Sequence, residues 1–517
     1  MPSLIKTYAA QWLDGYEIIC ECDSNRSLPG LEIIGLADTA IKESKERIKA
    51  AFRHVGVDLP NRKFIVNLAP SDVRKVGTSF DLPIAMSIIT LLYEKSMADH
   101  DLVTSSLWFG ELGLWGDVKK VTWLLPMVMS AVQQWYTSFF VPAENAFELA
   151  YLPDITYYPI EHLQQIVDWC VHGQTTLTPW HQHSIGEAIT QYTEHLSDFR
   201  HIKGQLAAKR ALMVAAAGFH NILMVGAPGS GKTMLAKALQ SILPPLTPSE
   251  ILETSQLYSI VGKLTKDHPL ITSRPYRAIH HTATKVSIIG GWPSLRPGEL
   301  SLAHRGILFV DELTEFPRDV LDTLRQPLED KQIHISRAVG SVTYPCNIMF
   351  VAAMNPCTCW YYKDPDKQCT CSLNDIKRYQ WRVSWPMLDR IDMILEIPRE
   401  KIDKLLDHGG DELSSADMQA SITQARHRQQ VRFAGTHITA NAHMWSKEIQ
   451  HYVHLDDAAS DLIKQAANRL TLSPRIVHRI IKLARTIADL DDSDNVLAKH
   501  IAESLQYRSK SMFVDSE

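Results

Sequence analysis

The sequence predicts an α/β fold in which a parallel sheet lies between an α+β N-terminal domain and a helical C-terminal domain. Three observations carry this reading. From 198 to 397, apolar strand-like runs alternate with helical patterns, as a parallel sheet with crossover helices requires. NILMVGAPGSGKTMLAKAL at 221–239 reads as a strand, a glycine-rich loop and a helix. From about 398 onward the pattern is nearly all helical, with LDDAASDLIKQAANRL and RIVHRIIKLARTIADL as two amphipathic helices.

The first 170 residues form the N-terminal domain. KFIVNLAP at 63–70, LWFGELGLWG at 107–116 and SFFVPAEN at 138–145 have strand character, and TAIKESKERIKAAFRHVG at 39–56 has helical spacing ending on Gly56. Residues 171–197 are polar without an apolar period and read as a linker, and 398–517 form the helical domain. The 517 residues, 45% hydrophobic and 21% charged, suit a soluble multidomain protein. No apolar run reaches membrane-spanning length and the start lacks a signal-peptide core, so a cytoplasmic location without membrane contact is expected. The net charge of −5 gives no global attraction to nucleic acid; DNA binding would need a local basic surface.

Within the glycine-rich loop, Gly226, Ala227, Pro228, Gly229, Ser230, Gly231, Lys232 and Thr233, with Met234 following, match G-x-x-x-x-G-K-[ST]. Backbone N–H groups of such a loop converge on phosphates at a helix N-terminus. Lys232 is expected to reach the β/γ-phosphates of ATP and Thr233 to ligand Mg²⁺. GILFVDEL at 306–313 is an apolar strand ending in two acids, so Asp311 is expected to hold Mg²⁺ and Glu312 to activate water. NIMFVAAMN at 347–355 places Asn355 at the end of a third strand, within reach of the water or the γ-phosphate.

Four cysteines, Cys357, Cys359, Cys369 and Cys371, form C-x-C-x₉-C-x-C, a pattern able to close a tetrahedral Zn²⁺ site, with unligated thiols as the alternative. KQIHISRAVGSVTYP at 331–345 reads as a hairpin with Lys331 at its start, Arg337 near its tip and Gly340 in the turn. His280 and His281 stand in a neighbouring insert; adjacent histidines rarely share one ion, which favours a structural or pore role.

The strands in this order, together with HHTATKVSIIGG, RPGELSLAHRGILFVDEL, LRQPLED, AAMNPC, LDRID and ARTIADL, resemble the ComM/YifB family of magnesium-chelatase-like AAA+ ATPases. The N-terminal LPGLEIIGLADTAIKESKERIKAA and VNLAPSDVRK fit the same pattern, so the resemblance spans nearly the whole chain. It implies an AAA+ P-loop NTPase core with a helical lid, preceded by a Lon-protease-like (ribosomal S5-like) domain. It also implies homo-hexameric rings and DNA branch migration in recombination, with a chelatase-like remodeller as the alternative function. By motif, Arg390 in LDRID resembles an arginine finger and Arg475 in LSPRIVHRI a sensor-2 arginine. Arg337, Lys331, His280 and His281 become candidates for pore contacts with DNA. Ser79 falls at the position of the Lon nucleophile, but Leu125 replaces its lysine, so a non-proteolytic domain is expected. Finally, Trp12, Trp123, Trp135, Trp292, Trp360 and Trp385 stand where the family pattern has glycine. A source that reads UGA as glycine would explain all six together.

Overall fold

The computed structural model describes the chain except residues 1, 12, 37, 72–74, 76, 175–176, 181–196, 292–294, 338–339, 365–366, 401–412 and 509–517. Most of the expected linker therefore lies outside the described residues, as do Trp12 and Trp292.

Two compact units form, and their division departs from a simple cut at the linker. The first comprises 1–193 together with 248–272; the second comprises 194–247 and 273–517. In the first unit a seven-stranded mixed sheet carries the expected strands Lys63–Ala69, Leu107–Trp108 and Ser138–Pro142. Alternation along Lys63–Ala69 buries Phe64, Val66 and Leu68 on one face, where the Thr39–His54 helix contributes Ile41, Ile48 and Phe52 to the core. The helix Pro248–Ile260, sequentially part of the nucleotide-binding segment, packs here against Leu124–Gln133. The Ser259 hydroxyl donates to buried Glu148 at 2.6 Å. A pattern of strands and helices cannot reveal such a docking, because it is decided by which apolar faces meet.

The second unit is built on a five-stranded parallel sheet in the order Tyr276–Ile279, Ile307–Val310, Met349–Met354, Ile222–Val225, Met393–Glu396. Three of its strands are fully buried along their length, which explains their unbroken apolar runs. The helices Asp457–Arg469 and Pro474–Leu490 match the two amphipathic runs in the sequence. Pro474–Leu490 buries Leu483 and Ile487 against the sheet-side core and Ile480 and Ala484 in the C-terminal helical cluster.

Three of the four described tryptophans at the glycine positions have left-handed backbone: Trp123 at φ +72°, Trp135 at +69° and Trp360 at +75°. A side chain there costs about 1–2 kcal/mol, and glycine does not pay it. Trp135 is 91% exposed, so packing offers no compensation. Trp385 differs: it opens the short helix Trp385–Leu388 without a positive φ.

Candidate nucleotide site

The Ile222–Val225 strand delivers the chain into the glycine-rich loop, and the Lys232–Ile242 helix begins directly beyond it. Gly229 and Gly231 take φ of +76° and +90°. At Gly226 a Cβ would collide with the Ile397 carbonyl, so the close approach of two backbones requires glycine. The Lys232 ammonium donates to the carbonyls of Gly226 at 2.7 Å and Ala227 at 3.0 Å, and to Asn355 Oδ1 at 3.4 Å. Burial pushes Lys232 down to about 8, against the pull of Asp311. A phosphate chain offers that ammonium a better partner than neutral carbonyls.

The Thr233 hydroxyl donates to Asp311 Oδ2 at 2.9 Å. A hydroxyl and a carboxylate this close, at the end of the loop, fit a Mg²⁺ that Thr233 would ligand and Asp311 would hold through water. Glu312 sits at φ +52° with its side chain half exposed, and Oε2 lies 3.5 Å from His281 Nδ1. The structure thus brings Lys232, Thr233, Asp311 and Asn355 together and puts His281 beside Glu312. Met234 is half exposed on the first helical turn.

Arg390 and Arg475 meet elsewhere. Arg390 pairs with Glu329 through Nη2, and its Nε donates to the Arg325 carbonyl at 2.9 Å. Arg475 donates to the other Glu329 oxygen at 3.1 Å and reaches Asp389 at 2.8 Å. Among the described residues, none of their hydrogen bonds or ion pairs touches loop residues 226–233.

The hairpin pairs Gln332–Arg337 with Gly340–Pro345, Arg337 opposite Gly340, and Arg337 is exposed. Lys331 stands at the far end of the hairpin, capping the Arg318–Asp330 helix at φ +55°, and its side chain lines a cavity. That position separates it from the tip residue with which the sequence grouped it. His280 is exposed and stacks near His281, ring centres 3.9 Å apart.

The four cysteine sulfurs lie within 4.8 Å of one another, and none is in a disulfide. Cys357 is 3.4 Å from Cys359 and 3.8 Å from Cys369, and Cys359 is 3.4 Å from Cys369. Tetrahedral Zn–S bonds place sulfurs about 3.8 Å apart, so the donor set fits zinc with small adjustments. The Cys359 backbone N–H donates to Cys371 Sγ at 3.3 Å.

The sequence reading missed Arg399. It follows the last sheet strand, where the only signal is a basic residue in LEIPRE. Its guanidinium donates to the Pro228 carbonyl of the glycine-rich loop at 3.3 Å. It also lies over the Tyr361 ring at 5.3 Å and near Asp364 at 3.7 Å. Both partners belong to the cysteine loop, which therefore touches the nucleotide site through one arginine.

In the N-terminal unit, Ser79 is half-buried and Leu125 is fully buried. Among the described residues no base hydrogen-bonds the Ser79 hydroxyl.

Residues 198–405 match the family described as magnesium chelatase, subunit ChlI; 20–145 match subunit ChlI of Mg-chelatase; and 412–508 match its C-terminal part. The chain is 36% identical to the uncharacterised protein YifB of Salmonella typhimurium, covering 98% of this chain and 97% of the relative. It is 35% identical to the competence protein ComM of Haemophilus influenzae over the same shares. A magnesium-chelatase 67 kDa subunit from Heliobacterium mobile is 26% identical over 30% of this chain and 27% of its own length. No described helix is long and apolar enough to cross a membrane.

Proposed function

The chain belongs to the ComM/YifB family of magnesium-chelatase-like AAA+ ATPases, and from that premise we propose that it is a ring-forming motor that uses ATP to move DNA, with branch migration in recombination as its task. ATP and Mg²⁺ are the cofactors its family implies. Bound ATP supplies the phosphoanhydride whose hydrolysis drives the motor; the protein's part is positioning and charge. Lys232 exchanges loop carbonyls for phosphate oxygens, and Thr233 and Asp311 hold the metal. Glu312 accepts a proton from water, and Asn355 orients that water from beside Lys232.

The observation that carries the ring reading is the placement of Arg390 and Arg475. Both converge on Glu329 and leave their own loop untouched, an arrangement suited to serving a neighbour's γ-phosphate in a homo-hexamer. Arg337 at the hairpin tip, repeated around a ring, gives DNA a basic track despite an acidic total. The N-terminal domain acts without peptidase chemistry, since Leu125 stands where the lysine partner would be and, among the described residues, no base hydrogen-bonds the Ser79 hydroxyl. The cysteine loop holds a structural zinc ion.

A second reading, an ATP-driven remodeller like a chelatase subunit, is favoured by the chelatase family matches along the chain. ATPase assays with and without Holliday-junction DNA separate the two. Stimulation by the junction, reduced in Arg337→Ala, supports the DNA motor; a rate indifferent to every DNA structure removes it.

A further inference from the structure

A cavity of about 380 Å³ lies between the sheet core and the helices that follow it, away from the glycine-rich loop. Lys331, Lys482, Arg479, His443, Phe219 and Trp445 are among its lining residues. Lys331 enters from the end of the Arg318–Asp330 helix and Lys482 from the middle of Pro474–Leu490.

The carboxylates around this cavity are already engaged. Glu329 accepts from Arg390 and Arg475 at the rim. Asp392 accepts from the Asn221 backbone N–H at 3.0 Å and lies 3.7 Å from Arg479 and 3.6 Å from His220. Although burial works the other way, these neighbours hold Asp392 well below the usual carboxylate range.

The two lysines have no such partner. The Lys482 ammonium donates to the Ala442 carbonyl at 3.1 Å. Among the described residues no carboxylate lies within ion-pair distance of either lysine. Burial pushes Lys331 down to about 7, the nearby charges of Lys482 and Arg305 act in the same direction, and Asp392 opposes them. Asp392 attracts both lysines from beyond ion-pair distance, but it is shared with Arg479 and His220. Partly buried cations so weakly compensated are costly, and an anion filling the space between them removes part of that cost.

We propose that this cavity binds a phosphate-bearing small molecule through Lys331 and Lys482, at a site separate from the glycine-rich loop. Lysine ammonium groups suit a phosphate as compact point charges with rotatable donors. Phe219 and Trp445 are also among the lining residues and offer aromatic surface on which a nucleobase can lie, so a nucleoside phosphate is the class of ligand that fits. The cavity is lined by one chain; Arg390 and Arg475 at its rim are the arginines that the ring reading gives to a neighbour's γ-phosphate, whereas Lys331 and Lys482 take no part in that reading.

The test uses the full-length Lys232→Ala chain, which cripples the other phosphate site, with inorganic pyrophosphate as the probe in calorimetric titration. Saturable binding of one pyrophosphate per chain is expected. Adding Lys331→Met or Lys482→Met should weaken it at least tenfold, whereas Lys331→Arg should retain most of it. Melting curves of each variant establish that the fold is kept. No saturable binding, or affinity unchanged by both methionine variants, overturns the proposal. So does displacement of pyrophosphate by a short single-stranded oligonucleotide with the same dependence on the two lysines, which would make the ligand a nucleic-acid backbone.

Discussion

His281 Nδ1 lies 3.5 Å from Glu312 Oε2, so the insert that follows the Tyr276–Ile279 strand touches the carboxylate proposed to activate water. A side chain grouped by sequence with the pore residues therefore also stands beside the proposed base. Glu312→Gln should bind ATP and hydrolyse it about 10²–10⁴-fold more slowly, because only the base is lost. His281→Ala should lower kcat roughly tenfold with little change in KM, as expected of a residue that orients Glu312 without holding substrate. Steady-state ATPase kinetics check both; near-normal turnover of Glu312→Gln would remove that residue from the mechanism.

Arg390→Ala should bind ATP nearly normally and fail to hydrolyse it. Mixed with Lys232→Ala subunits, it should regain part of the activity, since the proposed ring takes the loop and the arginine of each interface from different chains. Confirmed mixed assemblies with no recovery would place Arg390 within its own subunit's reaction.

Purified protein should carry about one zinc per chain, and Cys369→Ser should lose it. Loss of the metal should also reduce kcat several-fold, because Tyr361 and Asp364 in the cysteine loop hold Arg399 on the Pro228 carbonyl. Elemental analysis paired with ATPase assays checks this. A metal-free chain with full activity would separate the loop from the nucleotide site.

Lys331→Met should stabilise the ligand-free protein in chloride buffer at neutral pH by on the order of 2 kcal/mol. The folded chain holds Lys331 down to about 7, against an ordinary value of 10.5. Below pH 7 both folded and unfolded chains carry the charge and the full burial penalty applies. Between pH 7 and about 10.5 the folded lysine is neutral while the unfolded one is still protonated, so the penalty shrinks as pH rises. The gain from methionine should therefore be largest at pH 6 to 7 and vanish above about pH 10.5. Denaturant melts across this range measure it; a gain independent of pH would assign the effect to packing alone.

Glycine at Trp135, Trp123 or Trp360 should stabilise the fold by about 1–2 kcal/mol each, because the left-handed backbone then carries no side chain. The gene should show UGA at all six tryptophan positions that depart from the family pattern. UGG codons there would dispose of the reassigned-codon explanation.

The sequence by itself determined the parts whose chemistry is local. Residues 226–233 with Asp311, Glu312 and Asn355 were legible because a strand, a glycine-rich turn and acids at strand ends follow from short-range spacing, and the parallel sheet follows from alternating strands and helices. The C-x-C pairs were legible as a metal-binding pattern for the same reason. Only the tertiary structure decided what meets across long sequence distances. Arg399 reaches Pro228 across 171 residues, and Arg475 reaches Glu329 across 146. The helix Pro248–Ile260 docks on the N-terminal unit although it lies inside the nucleotide-binding segment. Lys331 caps the Arg318–Asp330 helix and lines a cavity at the opposite end of the hairpin from Arg337. Hydrophobic periodicity specifies which face of an element is buried, but it carries no record of its partner, so these relationships depend on how the packed faces come together.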